Sequence, residues 1–85
     1  VNQAIQFPDR EYWDEQIRAV CFPALVNGFQ INCRISADVL ARRYGGDSVQ
    51  QWLSLFREHR WDLEDEYERM AQKQQYDDQG WLSLS

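Results

Sequence analysis

Apolar and polar positions alternate most sharply on either side of Asn27-Gly28. Both residues tolerate the positive φ of a two-residue type I′ turn, so they predict a β-hairpin over 18–36. The turn sets the pairing. Val26 faces Phe29, Ala24 faces Ile31, Phe22 faces Cys33 and Val20 faces Ile35, which makes one wholly apolar face. Leu25/Gln30, Pro23/Asn32, Cys21/Arg34 and Ala19/Ser36 form the other, mixed face. A slip of one residue would scramble the two faces, and their separation predicts a sheet covered on one side only. Pro23 turns its missing N–H away from the partner strand, so any third strand should stop pairing near it.

A second period governs the later residues. Val49, Trp52, Leu53, Phe56, Leu63, Tyr67 and Met70 form one stripe at helical spacing, in a stretch without Gly or Pro. Ser48 followed by Gln51 matches a capping box at its start. One long helix over about 49–74 is predicted, packed on the apolar face of the sheet. His59 and Arg60 interrupt the stripe, and the helix is either continuous there or bent. A short helix over 37–44 is predicted between hairpin and stripe. Ser36 caps it, Ile35 and Leu40 suit a hydrophobic staple, and Gly45 closes it. Ala4–Phe7 reads as a short strand and Tyr12–Gln16 as a wide turn or the approach to the next strand. Asp77–Gly80 reads as a turn, with Trp81–Leu84 as a last short strand. The fold class is therefore α+β, a small antiparallel sheet with two helices, in one domain over 1–85.

Composition adds a constraint on partners. The chain has 85 residues and a net charge of −5. Residues 1–46 are neutral, while residues 47–85 hold nine acids against four cations. A field of that sign repels phosphate backbones, so neither nucleic acid nor an anionic membrane is expected as a partner. No apolar run approaches the ~20 residues that span a bilayer, and no charged-then-apolar leader is present. The register sends Cys21 and Cys33 to opposite faces, so they cannot pair; Cys33 reads as core and Cys21 as a partly exposed thiol. Two unpaired cysteines suit a reducing compartment, and a cytoplasmic location is expected.

Candidate chemistry gathers in the middle of the stripe. Trp61 projects off the stripe, on the flank shared with Glu64 and Glu68. It is either an interface anchor or covered by another segment, such as the residues before the hairpin or the Trp81 segment. Asp62, Glu64, Asp65, Glu66 and Glu68 put five carboxylates into seven residues. Glu58, Asp62 and Asp65 share a flank whose spacing suits a divalent cation. Ordinary ion pairs of Asp65 with Arg69 and Arg60 with Glu64 make a solvated face the better reading. His59, the sole histidine, lies near Asp62 and Glu66 and is the natural acid–base candidate. Cys21 needs a base to act as a nucleophile, and Arg34 opposite it would lower its pKa. Helix capping accounts for Arg42, Arg43, Tyr44, Gly45 and Gly46. No phosphate loop, nucleophile elbow or dinucleotide fingerprint is present, so no cofactor is expected.

Several stretches resemble one family. They are Ile5-Gln6-Phe7-Pro8-Asp9-Arg10-Glu11, Val20-Cys21-Phe22-Pro23-Ala24, Ile35-Ser36 and His59-Arg60-Trp61-Asp62-Leu63-Glu64. Their order and content are similar to domain of unknown function 1488, a family of small proteobacterial proteins. The resemblance implies an α+β fold and carries no assigned activity, substrate or cofactor. The residues favour a non-enzymatic interaction or regulatory module, acting on a protein partner or on a second copy of itself. Its expected surface is His59, Arg60, Trp61, Glu64 and Glu68. The alternative is a small-molecule or metal-binding protein using the His59/Asp62/Glu66 region.

Overall fold

The computed structural model describes residues 4–85. The hairpin consists of β3 (Ala19–Val26) and β4 (Phe29–Ser36), joined through Asn27 (φ 53°) and Gly28 (φ 85°). Its register is the one dictated by the turn, from Val26↔Phe29 to Ala19↔Ser36. Two short strands share the outer edge of β3. The first, β1 (Ile5–Gln6), pairs with Val26 and Leu25, and β2 (Tyr12–Asp14) pairs with Cys21, Val20 and Ala19. Between them, Phe22, Pro23 and Ala24 have no strand partner on that side. The cause is Pro23, which sits opposite Asn32 in a non-hydrogen-bonded pair, so its ring nitrogen faces the outer edge and offers no donor. The chain from Phe7 to Glu11 leaves the sheet at this gap.

Ser36 caps α1 (Ala37–Tyr44), its Oγ accepting from the Val39 N–H at 3.1 Å. Gly45 closes the helix with its N–H on the Ala41 carbonyl. Ser48 Oγ then accepts from the Gln51 N–H, while Gln51 Oε1 accepts from the N–H of Asp47 at 2.7 Å. The reciprocal bond of the expected capping box thus falls one residue early. Gly46 (φ 91°) has a further role, because a Cβ there would stand 3.0 Å from Leu55 Cδ1 and 3.2 Å from the Trp52 ring.

The expected single helix is two helices, α2 (Val49–Glu58) and α3 (Arg60–Gln72). They meet at His59, whose backbone leaves helical geometry (φ −103°, ψ 18°). Neither Gly nor Pro causes the break. The His59 ring lies flat on Tyr44 of α1, with centroids 3.8 Å apart, while the next side chain, Arg60, is held by residues of the outgoing Phe7–Glu11 segment. The His59 N–H still reaches Leu55 O and its carbonyl still accepts from Leu63 N–H, so the axis bends with little loss of backbone bonding.

After α3 the chain turns at Asp77–Gly80 and enters β5 (Leu82–Leu84), which runs parallel to β4 through Cys33↔Leu82 and Ile35↔Leu84. The sheet, in order β1-β3-β4-β5 with β2 also paired to β3, is therefore mixed and not wholly antiparallel. A parallel neighbour requires a crossover, and the three helices supply it over one face. Phe22 is the centre of the resulting core, its ring 4.9 Å from both Phe56 and Tyr67. Val20, Ile35, Leu40, Leu63 and Leu82 complete it, all essentially inaccessible. Along α3 the buried stripe runs through Leu63, Tyr67 and Ala71, leaving Met70 at its edge. Trp13 of β2 stacks on Trp52 of α2 at 5.6 Å and seals the far end.

Cys21 is buried (1% exposed), not half-open. Its strand partner on β2 is Tyr12, in a stretch whose sequence leaves turn and strand both open. Burial and the nearby Asp14 charge raise the thiol pKa, outweighing the lowering from Tyr12 and Arg34. Cys33, inside the core, is pushed up to about 12 by burial.

Candidate functional site

The helix break is where distant parts of the chain converge. Because Pro23 ends the pairing of β1, the Phe7–Glu11 segment crosses to the helices and brings Asp9 and Glu11 with it. Glu11, with only 10% of its side chain exposed, accepts from Arg57 Nε at 2.7 Å and from Arg60. Arg60 also lies 3.3 Å from Asp9 and 3.6 Å from Glu64, and its guanidinium stands 5.2 Å over the ring of Phe56. Burial alone would raise the pKa of Glu11, but the bonds from Arg57 and Arg60 outweigh it and bring the carboxyl to about 2. Burial raises Glu64 instead, against the opposing pull of Arg60. The cluster is a hub of three carboxylates around two arginines, and both arginines are occupied by it.

Trp61 follows Arg60 directly and points the other way. It is 86% exposed; neither the segment before the hairpin nor the Trp81 segment covers it. The indole is a ridge between two shallow concavities. One, of about 400 Å³, is lined by Arg57, Glu58, His59, Arg60 and Asp62. The other, of about 350 Å³, is lined by Ile5, Phe7, Glu64, Asp65 and Glu68. The predicted neighbourhood of Trp61 with Glu64 and Glu68 is thus real, and Arg60 and His59 belong to the opposite side of the same ridge.

The alternative constellation does not assemble. His59 and Asp62 line one concavity, but Glu66 is drawn off to Arg43 of α1 in a two-pronged pair at 2.8 and 3.0 Å. Those bonds hold the Glu66 carboxyl below its ordinary pKa. Cys21 lines a different concavity, with Tyr12, Arg10 and Pro23. Glu58 and Asp62 face one side of Trp61 and Asp65 the other, where Asp65 pairs with Arg69 at 2.8 Å. Among the described residues no group of three or more His, Cys, Asp or Glu side chains is placed to hold a metal ion. No helix of the structure is long and apolar enough to cross a membrane.

The site residues not anticipated as such are Asp9, Glu11 and Arg57. Nothing local marks them, since their partners lie more than forty residues away in sequence. The one available signal was that two family-like stretches, Ile5–Glu11 and His59–Glu64, belong to the same resemblance. In the structure these two stretches touch.

The family described as "Protein of unknown function (DUF1488)" matches residues 5–84. The chain belongs to the DUF1488 family. Uncharacterized protein YrdB of Escherichia coli K12 is 62% identical to it over 84 residues, covering 99% of both chains. Uncharacterized protein YrdB of Shigella flexneri is 61% identical over the same length, again covering 99% of both chains. A crystal structure of a DUF1488 family protein of unknown function from Shewanella loihica PV-4 superposes with a TM-score of 0.92 at 32% identity. That alignment covers 99% of this chain and 94% of the other. The α+β fold is therefore that of the DUF1488 family.

Proposed function

We propose that this DUF1488 protein is a non-enzymatic interaction module, regulatory in effect, whose anchor to a protein partner is Trp61. The observation that carries the reading is an indole 86% exposed in the first turn of α3, between two concavities and beside arginines already tied down. Large aromatic side chains that protrude from a rigid element are the side chains that dominate binding energy at interfaces. The rigid mount matters as much as the ring, because little ordering entropy is then lost on binding.

The partner is a different protein. A two-fold contact between copies centred on this face would bring two acid-bearing surfaces together, and like charges across an interface oppose association. The small-molecule or metal-binding alternative has less support, since Glu66 is committed to Arg43 and His59 lies flat on Tyr44. Two free, buried cysteines support a reducing, cytoplasmic setting.

The test is affinity capture from native lysate with the wild-type chain and Trp61→Ala in parallel, each checked by circular dichroism and light scattering. Capture of a partner by the wild type and its loss from the variant are expected. A folded Trp61→Ala protein that keeps every partner and the same oligomeric state overturns the reading.

A further inference from the structure

The two sides of the Trp61 ridge differ in chemistry, and that difference bears on what the partner presents. On the His59 side, both arginines of the wall are neutralised by Glu11, Asp9 and Glu64. On the other side the groove runs between α3 and β1. It is lined by three apolar side chains, Ile5, Phe7 and Trp61, and by three carboxylates, Glu64, Asp65 and Glu68. Asp65 pairs with Arg69 at 2.8 Å, and Glu64 shares Arg60 with Asp9 and Glu11, at 3.6 Å. Glu68 has no ion-pair partner among the described residues.

We infer that this groove receives an arginine or lysine side chain from a basic segment of the partner protein. The inference rests on the Trp61 reading and names the chemistry of its partner. A long cationic side chain has the matching two-part character. Its methylene stem lies on Ile5 and Phe7, its cationic head stacks on the indole, and Glu68 supplies the opposing charge. Arginine fits better than lysine, because a planar guanidinium stacks on the ring and also presents a fork to a carboxylate. The charge of the whole chain agrees: the excess of −5 lies in residues 47–85, which include the acids of this groove, so a basic segment is steered toward this half of the molecule. Phosphate-bearing partners are repelled by the same field.

The experiment uses the full chain, isotopically labelled, titrated with a synthetic peptide of alternating arginine and alanine. The control peptide carries citrulline in place of every arginine, which keeps shape and removes charge. Expected are a shift of the Trp61 indole N–H resonance with the arginine peptide alone and binding about tenfold weaker for Trp61→Ala. A smaller loss of about two- to fivefold is expected for Glu68→Gln, with added salt weakening the wild type to a similar degree. Both substituted side chains are at the surface, and the amide spectrum of each variant reports whether the fold is intact. Equal binding of the arginine and citrulline peptides overturns the inference, as does arginine binding unaltered in both variants. If partner capture still depends on Trp61 while the citrulline peptide binds equally well, only the basic-segment inference fails. If capture is independent of Trp61, the anchor reading fails as well.

Discussion

Two arginines each tie an outlying strand segment to the body of the protein, and each has a tryptophan beside it. Arg34 donates to Ser83 Oγ and to Asp77 Oδ2, both at 2.8 Å, and its guanidinium lies 5.1 Å over the ring of Trp81. Strand β5 and its tryptophan are fastened together. Arg60 gathers Asp9, Glu11 and Glu64 and spreads over Phe56, while Trp61, its neighbour in sequence, is left bare. The same side-chain chemistry thus closes one region and leaves the other open. An arginine that stacks inward on a core ring is not available to shield an indole on the outside. Trp61 contributes almost nothing to the interior, so its place in the molecule has to be explained by what it can meet.

The sharpest test of this contrast is removal of the two arginines. Arg60→Ala leaves the largely buried Glu11 with Arg57 as its remaining counter-charge, a change expected to cost about 2–4 kcal/mol in a urea melt. A cost no greater than that of Arg34→Ala would erase the difference between the two regions. Acidity probes the same hub. Glu11 ionises at about 2 in the folded chain against an ordinary 4.5, so its contribution is complete above pH 4.5 and is lost as the pH falls toward 2. The loss should approach about 3 kcal/mol, and Glu11→Gln should flatten the stability profile across that window. Identical profiles for wild type and variant would remove Glu11 from the account.

Smaller effects are expected at the closed region. Arg34→Ala should cost about 1–3 kcal/mol, because its partners are half-buried and one bond is to a neutral hydroxyl. Hydrogen exchange should quicken at Leu82–Leu84 before any other strand, and uniform quickening would contradict a local latch. The smallest change belongs to Trp61→Ala, within about 0.5 kcal/mol of wild type by thermal melting. Trp81→Ala, which removes a covered ring, should cost about 1 kcal/mol or more. Equal costs for the two tryptophans would mean that Trp61 is packed after all.

What could be read along the chain and what could not divide by distance in sequence. The hairpin register followed from Asn27-Gly28, because a two-residue turn leaves the strands one way to pair. The gap at Pro23 followed from a missing N–H. The outward direction of Trp61 followed from helical angle alone. Strand β2 needed Cys21 to show that Tyr12–Asp14 was extended, and without it Cys21 seemed half-open. The break at His59 comes from the Tyr44 ring and the pull of Glu11 and Asp9 on Arg60, none of which a periodicity sees. The parallel pairing of β5 is three residues long and is fastened by the Arg34 side chain on Ser83 and Asp77. Of the candidate surface, Trp61, Glu64 and Glu68 fell together as their spacing required, and the hub beneath them did not show.

Pro23 has one more consequence, for solubility. An uninterrupted outer edge on β3 would have supported a long flanking strand with its own row of free amides, a template for another molecule to extend the sheet. The break instead leaves flanking strands of two and three residues, separated by a loop that departs toward the helices. Such a rim gives a second chain too short a run to nucleate on. Replacing Pro23 by a β-branched residue would invite that extension, and the harm would show first as fibrils in concentrated stocks.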